Sequence, residues 1–475
     1  MKPGMNPLHK SFLLSFAEKY TLLLMNTGGA MIIARVLTPD EIGTYAIGAV
    51  LAGLAQSLRD FGVSQYIVQE KQLTPEKLRA AFSTSLLVAW LLAVLVALSA
   101  RPVAGFYGQE KLVQVLHILA LNFVLIPFSS VSLPYLRRQM RFGPIYAINT
   151  VHCLAQLVCE ISLALAGWGC LSLAWGAVAG TAGALLVAMC VRPPELPWLP
   201  GLRGTGAVLR FGVYATAGGA VDELGVAAPD LIVGKVIGVA EVSILGKAVG
   251  LINMFNQLMT SAISPVLFPI FSARAREGGD LKQSYLATAS GMAAVAWPFF
   301  AFLGVMAPAV VRVLYGAQWD AAVPLVRIIC ASSALYCVFS MTRYLLVAMG
   351  QVRPQAGVDA QAALVRVVAV TLAARFGLQW VAWAIVAGAL FRCAVAYHWL
   401  RVLIGLRASE LLRAVGRSAV VTLLCVLGPL SARWLVPATS SFWPLLWAAA
   451  LSTLLWGGAM LMLRHELAVV FLRRP

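Results

Sequence analysis

Charge is scarce in this chain. Asp, Glu, Lys and Arg make up 12% of its 475 residues, about half of the roughly 25% found in soluble domains. No polar stretch is long enough for a soluble catalytic domain. The 5 histidines do not stand at zinc spacing from any cysteine, and the 8 cysteines form no C-x-x-C pair. All eight lie in or beside apolar segments and read as small packing residues. H-E-x-x-H, G-x-S-x-G and a Walker loop are also missing. Those absences argue against an enzyme, a metal site or a nucleotide cofactor, and against transport powered by ATP within the chain. Coupling to protons or sodium stays open. The formal net charge is +17, yet no Lys/Arg run interleaves with aromatics, which argues against a nucleic-acid partner.

What is abundant is apolar sequence. Hydrophobic residues reach 60% and mean hydropathy is +0.85. A membrane-spanning helix needs about 20 mostly apolar residues. Segments of that kind number fourteen, from Ser11–Val36 to Phe442–Leu463. The first contains Glu18 and Lys19 and has no small-residue cleavage site, so it reads as a mature span rather than a signal peptide. Connections are short. The fold class is therefore an all-α polytopic membrane protein.

The cations order the loops. With the N-terminus in the cytoplasm, the even loops hold Lys71, Lys77 and Arg79, then Arg137, Arg138 and Arg141, and later Arg274, Arg276 and Lys282. The odd loops hold scattered single cations. This positive-inside pattern predicts both termini in the cytoplasm, with the basic surplus drawn to anionic membrane lipid. Trp168, Trp319, Trp380, Trp434 and Trp443 fall at the predicted outer ends, as an aromatic belt would.

A weak repeat divides the chain. Ile33-Ala34-Arg35-Val36-Leu37 precedes Glu41 and Ile42; 200 residues on, Val233-Gly234-Lys235-Val236-Ile237 precedes Glu241 and Val242. Phe106-Tyr107-Gly108 and Leu314-Tyr315-Gly316 form a second pair, 208 residues apart. The repeat predicts two pseudo-symmetric six-helix lobes, related by an axis along the membrane normal, plus two C-terminal helices. The expected boundaries are 1–192 and 206–406 for the lobes, 193–205 for a cytoplasmic linker, and 407–475 for the last two helices and a basic tail. The groove between lobes is the expected substrate path.

A charge at the bilayer centre costs roughly 2.5–3.5 kcal/mol on insertion scales, so intramembrane charges need partners or a wet cavity. Lys19 and Asn26 are seven apart on the first span and share a face, with Glu18 beside them. Glu223 and Asp230 repeat that spacing on the seventh, next to Asp222. Asp359 and Arg366 share a face of the eleventh, either as an ion pair or as cavity lining. Arg392 lies on the twelfth, Glu160 on the fifth, and Lys247 on the eighth. Arg327 and Arg343 suit either snorkelling or a cavity. Arg59-Asp60 reads as a local pair at a helix end, and His117, His152 and His398 as core histidines. Substrate-cavity candidates are Glu18, Lys19, Asn26, Asp222, Glu223, Asp230, Arg366 and Arg392. Mixed charge of this kind suits an anionic diphosphate carried with a hydroxyl-rich head. Pro127, Pro134, Pro265, Pro269, Pro298 and Pro308 mark either hinges or static kinks.

Five motifs in order carry a family likeness. ARVLTPDEIGTYA from Ala34, DFGVSQYIVQEKQLT from Asp60, LRRQMRF from Leu136, VGKVIG from Val233 and SPVLFPIFS from Ser264 resemble the signatures of Wzx-type polysaccharide-unit flippases, over roughly Ser11 to Leu406. The resemblance implies a multidrug/oligosaccharidyl-lipid/polysaccharide exporter fold. It implies flipping of undecaprenyl-diphosphate-linked oligosaccharide to the periplasmic leaflet of the bacterial inner membrane, for O-antigen or exopolysaccharide assembly, by alternating access. The family's acid before the eighth helix, displaced by one position, falls on Asp230. A lipid-linked oligosaccharide is the implied partner, with a polysaccharide polymerase and a chain-length regulator beside it. The expected roles are Lys19 and Arg392 on the diphosphate, with the acids on sugar or coupled to protons. The alternatives are a proton- or sodium-coupled multidrug or metabolite exporter of the same superfold, and a membrane-embedded glycosyltransferase or ligase, for which the loops are too short.

Overall fold

The computed structural model describes residues 7–60, 62–197, 199–201, 205–435 and 442–463. Within these, the side chains of residues 7–17, 207–211, 213–222, 261–262, 264–266, 352 and 433–435 lie outside the described set. The described chain is helical. Its first half runs α1 (Pro7–Val36), α2 (Pro39–Asp60), α3 (Val63–Gln69), α4 (Pro75–Tyr107), α5 (Lys111–Leu125), α6 (Pro127–Ser130), α7 (Ser132–Arg138), α8 (Phe142–Leu165), α9 (Cys170–Cys190) and α10 (Thr205–Val236). Its second half runs α11 (Val239–Glu277), α12 (Leu281–Leu314), α13 (Val323–Phe339), α14 (Thr342–Ala348), α15 (Val352–Ala373), α16 (Leu378–Ile404), α17 (Ala408–Leu435) and α18 (Phe442–Met462).

Each of the fourteen apolar segments lies on one or more of these helices. Nine spans among the described residues are long and apolar enough to cross a membrane, or ten with the bent pair formed by α5 and the stretch Pro127–Arg138. That pair bends by 41°. Pro127 supplies no N–H to bond back into α5, so the helix ends before it and restarts with Pro at its first turn. Elsewhere proline leaves the helix unbroken: α12 passes through Pro298 and Pro308, and α11 through the positions of Pro265 and Pro269.

Helix ends follow local chemistry. Thr38 and Glu41 form a reciprocal capping box ahead of α2, with Thr38 N donating to Glu41 Oε2 at 3.0 Å and Glu41 N to Thr38 Oγ1 at 3.3 Å. Thr74 caps α4, with Pro75 in its first turn. Asp280 caps α12 through Gln283 N at 2.9 Å. Gly108 closes α4 at φ 68°, a left-handed conformation that glycine adopts without strain.

The chain divides into two compact units, Met1–Ser243 and Ile244–Pro475. In the first, Val63, Ile67, Leu78, Phe82 and Val131 form one buried cluster, and Ile33, Leu37, Ala164 and Leu173 another. In the second, α12, α17 and α18 bury Ala294, Val421, Cys425 and Met460 together. Large apolar side chains such as Leu91, Leu98, Leu423 and Leu454 are exposed, the surface expected of helices solvated by lipid.

The turns of the first repeat pair meet inside the first unit. Leu37 N bonds to Ile33 O at 2.9 Å, and Ile237 N to Val233 O at 2.9 Å. Ser243 Oγ then donates to Pro39 O at 2.8 Å. Gly43 lies against the Val239 carbonyl, so close that a Cβ there would sit 1.8 Å from the oxygen. Only glycine fits that contact.

One belt residue is placed differently from the sequence expectation. Trp319 is fully buried, with its ring 6.5 Å from that of Tyr315 and Lys247 Nζ 5.1 Å above it. An apolar ring under a cation gains both burial and a cation–π contact. Trp168, Trp380 and Trp443 are exposed; the side chain of Trp434 lies outside the described residues.

Candidate functional site

Polar side chains on α2, α5 and α8 converge inside the first unit. They line a cavity of about 370 Å³ that includes Gln56, Arg59, Asn122, Asn149, His152 and Gln156. The volume lies in the range of small-molecule sites, roughly 300–1,000 Å³. The spacing explains the convergence: Asn149, His152 and Gln156 stand at i, i+3 and i+7 on one face of α8, and Gln56 and Arg59 are three apart on α2.

Two acids brace this face from behind. Asn149 Nδ2 donates to Glu18 Oε1 at 2.5 Å, joining α8 to α1. Gln156 Nε2 donates to Glu160 Oε1 at 2.7 Å. Glu160 is 6% exposed and lies over Gly176 of α9, where a Cβ would stand 2.0 Å from Glu160 Cγ. The glycine makes the room that the carboxyl occupies. Arg59 Nε and Asn122 Oδ1 are buried and accept or donate no hydrogen bond among the described residues. Asp60 accepts from Ser64 Oγ at 2.7 Å, and its charge acts on the neighbouring Arg59.

The second unit holds a charged cluster of a different kind. Arg392 Nη2 on α16 pairs with Asp359 Oδ1 on α15 at 2.7 Å, both side chains mostly buried. Gln355 Nε2 donates to the other carboxylate oxygen at 2.9 Å. The Arg392 guanidinium lies 5.2 Å from the Tyr336 ring centroid. Arg366 packs along α16 beside Gly388, its Cβ 3.6 Å from where a glycine Cβ would be, and is also within electrostatic reach of Tyr336. Asp359 thus pairs across to α16. A bidentate-capable guanidinium on the neighbouring helix reaches the carboxylate directly, while a residue seven along the same helix sits two turns away.

The remaining expected site residues are placed as follows. Glu18 is half-buried, and Lys19 and Asn26 are exposed on α1. Asn26 Oδ1 accepts a long contact from Cys153 Sγ at 3.5 Å. Glu223 is exposed and Asp230 half-buried on α10. The side chain of Asp222 lies outside the described residues. Gln56, Asn122, Asn149 and Gln156 were not expected as site residues, Arg59 was expected as a local pair with Asp60, and His152 was expected as a core residue but lines the cavity. Among the described residues, no group of three or more His, Cys, Asp or Glu could hold a metal ion.

A helical bundle with many apolar spans and a polar cavity inside its first unit has the architecture of a multi-pass membrane transporter. Solved structures agree on the fold. The chain is similar to the lipid II flippase MurJ in an inward closed conformation, with TM-score 0.76 and 12% identity over 96% of this chain and 100% of that one. It is similar to an inward-facing multidrug resistance MATE transporter of the MOP superfamily, with TM-score 0.65 and 14% identity over 81% of this chain and 94% of that one. A model of the polysaccharide biosynthesis protein family matches residues 32–324, and the chain belongs to that family. Among curated relatives it is 22% identical to the teichuronic acid biosynthesis protein TuaB of Bacillus subtilis, over 67% of each chain. It is 23% identical to the lipopolysaccharide biosynthesis protein WzxC of Escherichia coli, over 68% of this chain and 66% of that one. It is 23% identical to the succinoglycan biosynthesis transport protein ExoT of Rhizobium meliloti, over 73% and 69%. The match spans about two thirds of the length of these relatives.

Proposed function

We propose that this protein is a flippase that moves polyprenyl-diphosphate-linked oligosaccharide units from the cytoplasmic to the periplasmic leaflet of a bacterial inner membrane, by alternating access, for O-antigen or exopolysaccharide assembly. The observation that carries this reading is the pairing of a polysaccharide-biosynthesis family match with a flippase-like fold over 96% of the chain. The polar headgroup passes through the protein while the polyprenyl tail stays in lipid. In the first unit, Lys19 attracts the diphosphate, while Glu18, Asn26, Asp222, Glu223 and Asp230 meet sugar hydroxyls or couple to protons or sodium. In the second, Arg366 and Arg392 supply cations. Both termini face the cytoplasm, and a polymerase and chain-length regulator receive the product.

Leaflet-selective glycan labelling of a deletion strain tests the proposal. Lipid-linked oligosaccharide accumulates on the cytoplasmic leaflet and the intact gene relieves it. Normal delivery in a strain without a redundant flippase overturns it. Lys19→Gln combined with Arg392→Gln and Asp359→Asn, the last removing the charge that Arg392 leaves behind, stops export while the protein stays in the membrane. The likeness to a multidrug transporter supports a second reading, cation-coupled efflux of small amphiphiles. That reading requires efflux that follows the proton or sodium gradient and a deletion strain with intact polysaccharide.

A further inference from the structure

We infer that the cavity inside the Met1–Ser243 unit recognises the sugar head of the transported unit and not its diphosphate; this rests on the proposed flippase reading. The argument is the hydrogen-bonding polarity of the walls. An amide has two donors on nitrogen and an acceptor oxygen. Asn149 commits its nitrogen to Glu18 and Gln156 commits its nitrogen to Glu160. A carboxylate accepts and an amide oxygen cannot donate to it, so these two bonds also fix which way each amide is turned. Each of these amides then has its oxygen and one further N–H left to meet a ligand.

Asn122 adds a third acceptor, since its Oδ1 is buried without a hydrogen bond among the described residues. Against these stands one lining cation, Arg59, whose Nε is likewise buried and unbonded. Buried polar groups without partners are costly, so the cavity favours a ligand that satisfies both kinds.

A diphosphate offers only acceptor oxygens and negative charge. It could accept from Arg59 and the remaining N–H groups but would leave the buried Asn122 oxygen unmet, and it would be repelled by the Glu18 and Glu160 carboxyls that Asn149 and Gln156 hold. A sugar hydroxyl donates to an amide oxygen and can also accept from the guanidinium. A cavity of about 370 Å³ is of small-molecule size, suited to one or two sugar rings. The chemical class that fits is a neutral, hydroxyl-rich glycan end.

The test uses the full-length protein in lipid nanodiscs and three probes: the intact lipid-linked oligosaccharide from the deletion strain, the same oligosaccharide freed of lipid and phosphate by mild acid, and undecaprenyl diphosphate. The variants are Asn122→Ala and Gln56→Ala, both of which line the cavity, with Asn122 Oδ1 making no hydrogen bond among the described residues that the fold would lose; thermal melting checks that each is folded, and Asn122→Ser substitutes if one is not. The wild type binds all three probes. Each variant loses about tenfold in affinity for the freed oligosaccharide, the worth of one hydrogen bond, and keeps its affinity for undecaprenyl diphosphate. The assignment is overturned if the variants bind freed oligosaccharide like the wild type, if undecaprenyl diphosphate is the probe they lose, or if the wild type binds the intact unit but no freed sugar. Absence of binding to the intact unit and to undecaprenyl diphosphate overturns the flippase reading itself, a result distinct from any of these.

Discussion

The two units handle polarity inside the membrane in opposite ways. The first leaves it open: amides and the Arg59 guanidinium line a cavity, and the buried Glu160 is held by Gln156 rather than by a cation among the described residues. The second closes its charges on each other, Arg392 on Asp359 at 2.7 Å. Its cleft between α12, α17 and α18, about 320 Å³, is lined by groups such as Val295, Pro298, Phe299 and Trp456, and its aromatic interior includes Phe255 stacked on Phe299 at 4.1 Å. An ion pair in low dielectric is strong but fixed, because separating it exposes two charges. Neutral amides exchange one hydrogen bond for another at little net cost. The first arrangement suits a surface that must bind and release; the second is a brace of α15 to α16 that only an anionic ligand competing for Arg392 would open.

The sharpest way to break this comparison is to open the brace. Asp359→Ala leaves the mostly buried Arg392 without its partner and destabilises by about 3–5 kcal/mol, the range for halving a buried pair. Arg392→Met combined with Asp359→Leu removes both charges and recovers most of that loss. Detergent melting of the single and double variants measures it. If the double variant is as unstable as Asp359→Ala, the pair is not a unit and the contrast with the first unit fails.

Next in size is the contact between repeat turns. Gly43→Ala drives a methyl into the Val239 carbonyl, and backbone cannot move aside as a flexible side chain can. The expected loss is about 1–3 kcal/mol, as for overpacking elsewhere, read as a lower melting temperature. Gly246→Ala, which meets open space, is the control and leaves melting unchanged or raised.

Glu160 gives a smaller effect that separates the units directly. Glu160→Gln keeps a hydrogen-bonding group against Gln156 and breaks no ion pair among the described residues, so stability changes by less than about 1 kcal/mol. The matched change Asp359→Asn in the second unit costs more, because it strips Arg392 of its counter-charge. Equal melting shifts for the two would show that charge pairing does not distinguish the units.

What could be read from sequence follows from the strength of each signal. The helices were legible because lipid demands about 20 apolar residues per span, and the turns at Leu37 and Ile237 because the repeat preserved them. The cavity was not. Gln56, Asn122, Asn149 and Gln156 are uncharged, so each is a weak mark in an apolar helix, and their meaning arises only when three helices pack. Asp359 was visible as an intramembrane acid, but its partner stands on another helix, and spacing along one helix pointed to Arg366. Trp319 looked interfacial by position in the chain, while Lys247, which covers it, is distant in sequence.

The smallest expected effect lies at the polar edge, where the units converge in behaviour. Each has a helix-end pair: Lys77 with Glu70 at 3.0 Å in the first, and Lys282 with Glu410 at 2.6 Å in the second. Glu70 is solvated in the turn after α3, and the hydrogen bond from Lys77, aided by the Gln72 backbone N–H, holds its carboxyl below its ordinary 4.5. A lowered folded pKa means that the folded state binds the proton less tightly than the unfolded chain does. The stabilisation is therefore complete above pH 4.5 and disappears as pH falls through the lowered value. Lys77→Met removes the interaction, so the melting difference between wild type and variant is small and constant at neutral pH and shrinks toward zero in acid. Exposed pairs are weak and screened by salt, so high salt shrinks it as well. Arg138, which donates to the carbonyls of Ile67 at 2.8 Å and Glu70 at 2.5 Å, caps the same turn and draws the Glu70 carboxyl down more weakly than Lys77 does, so an Arg138→Met difference falls less in acid than the Lys77→Met one. A Lys77→Met difference that does not fall in acid would assign the contribution of Lys77 to its other bond, to the Gln72 carbonyl at 2.9 Å, and not to the charge on Glu70.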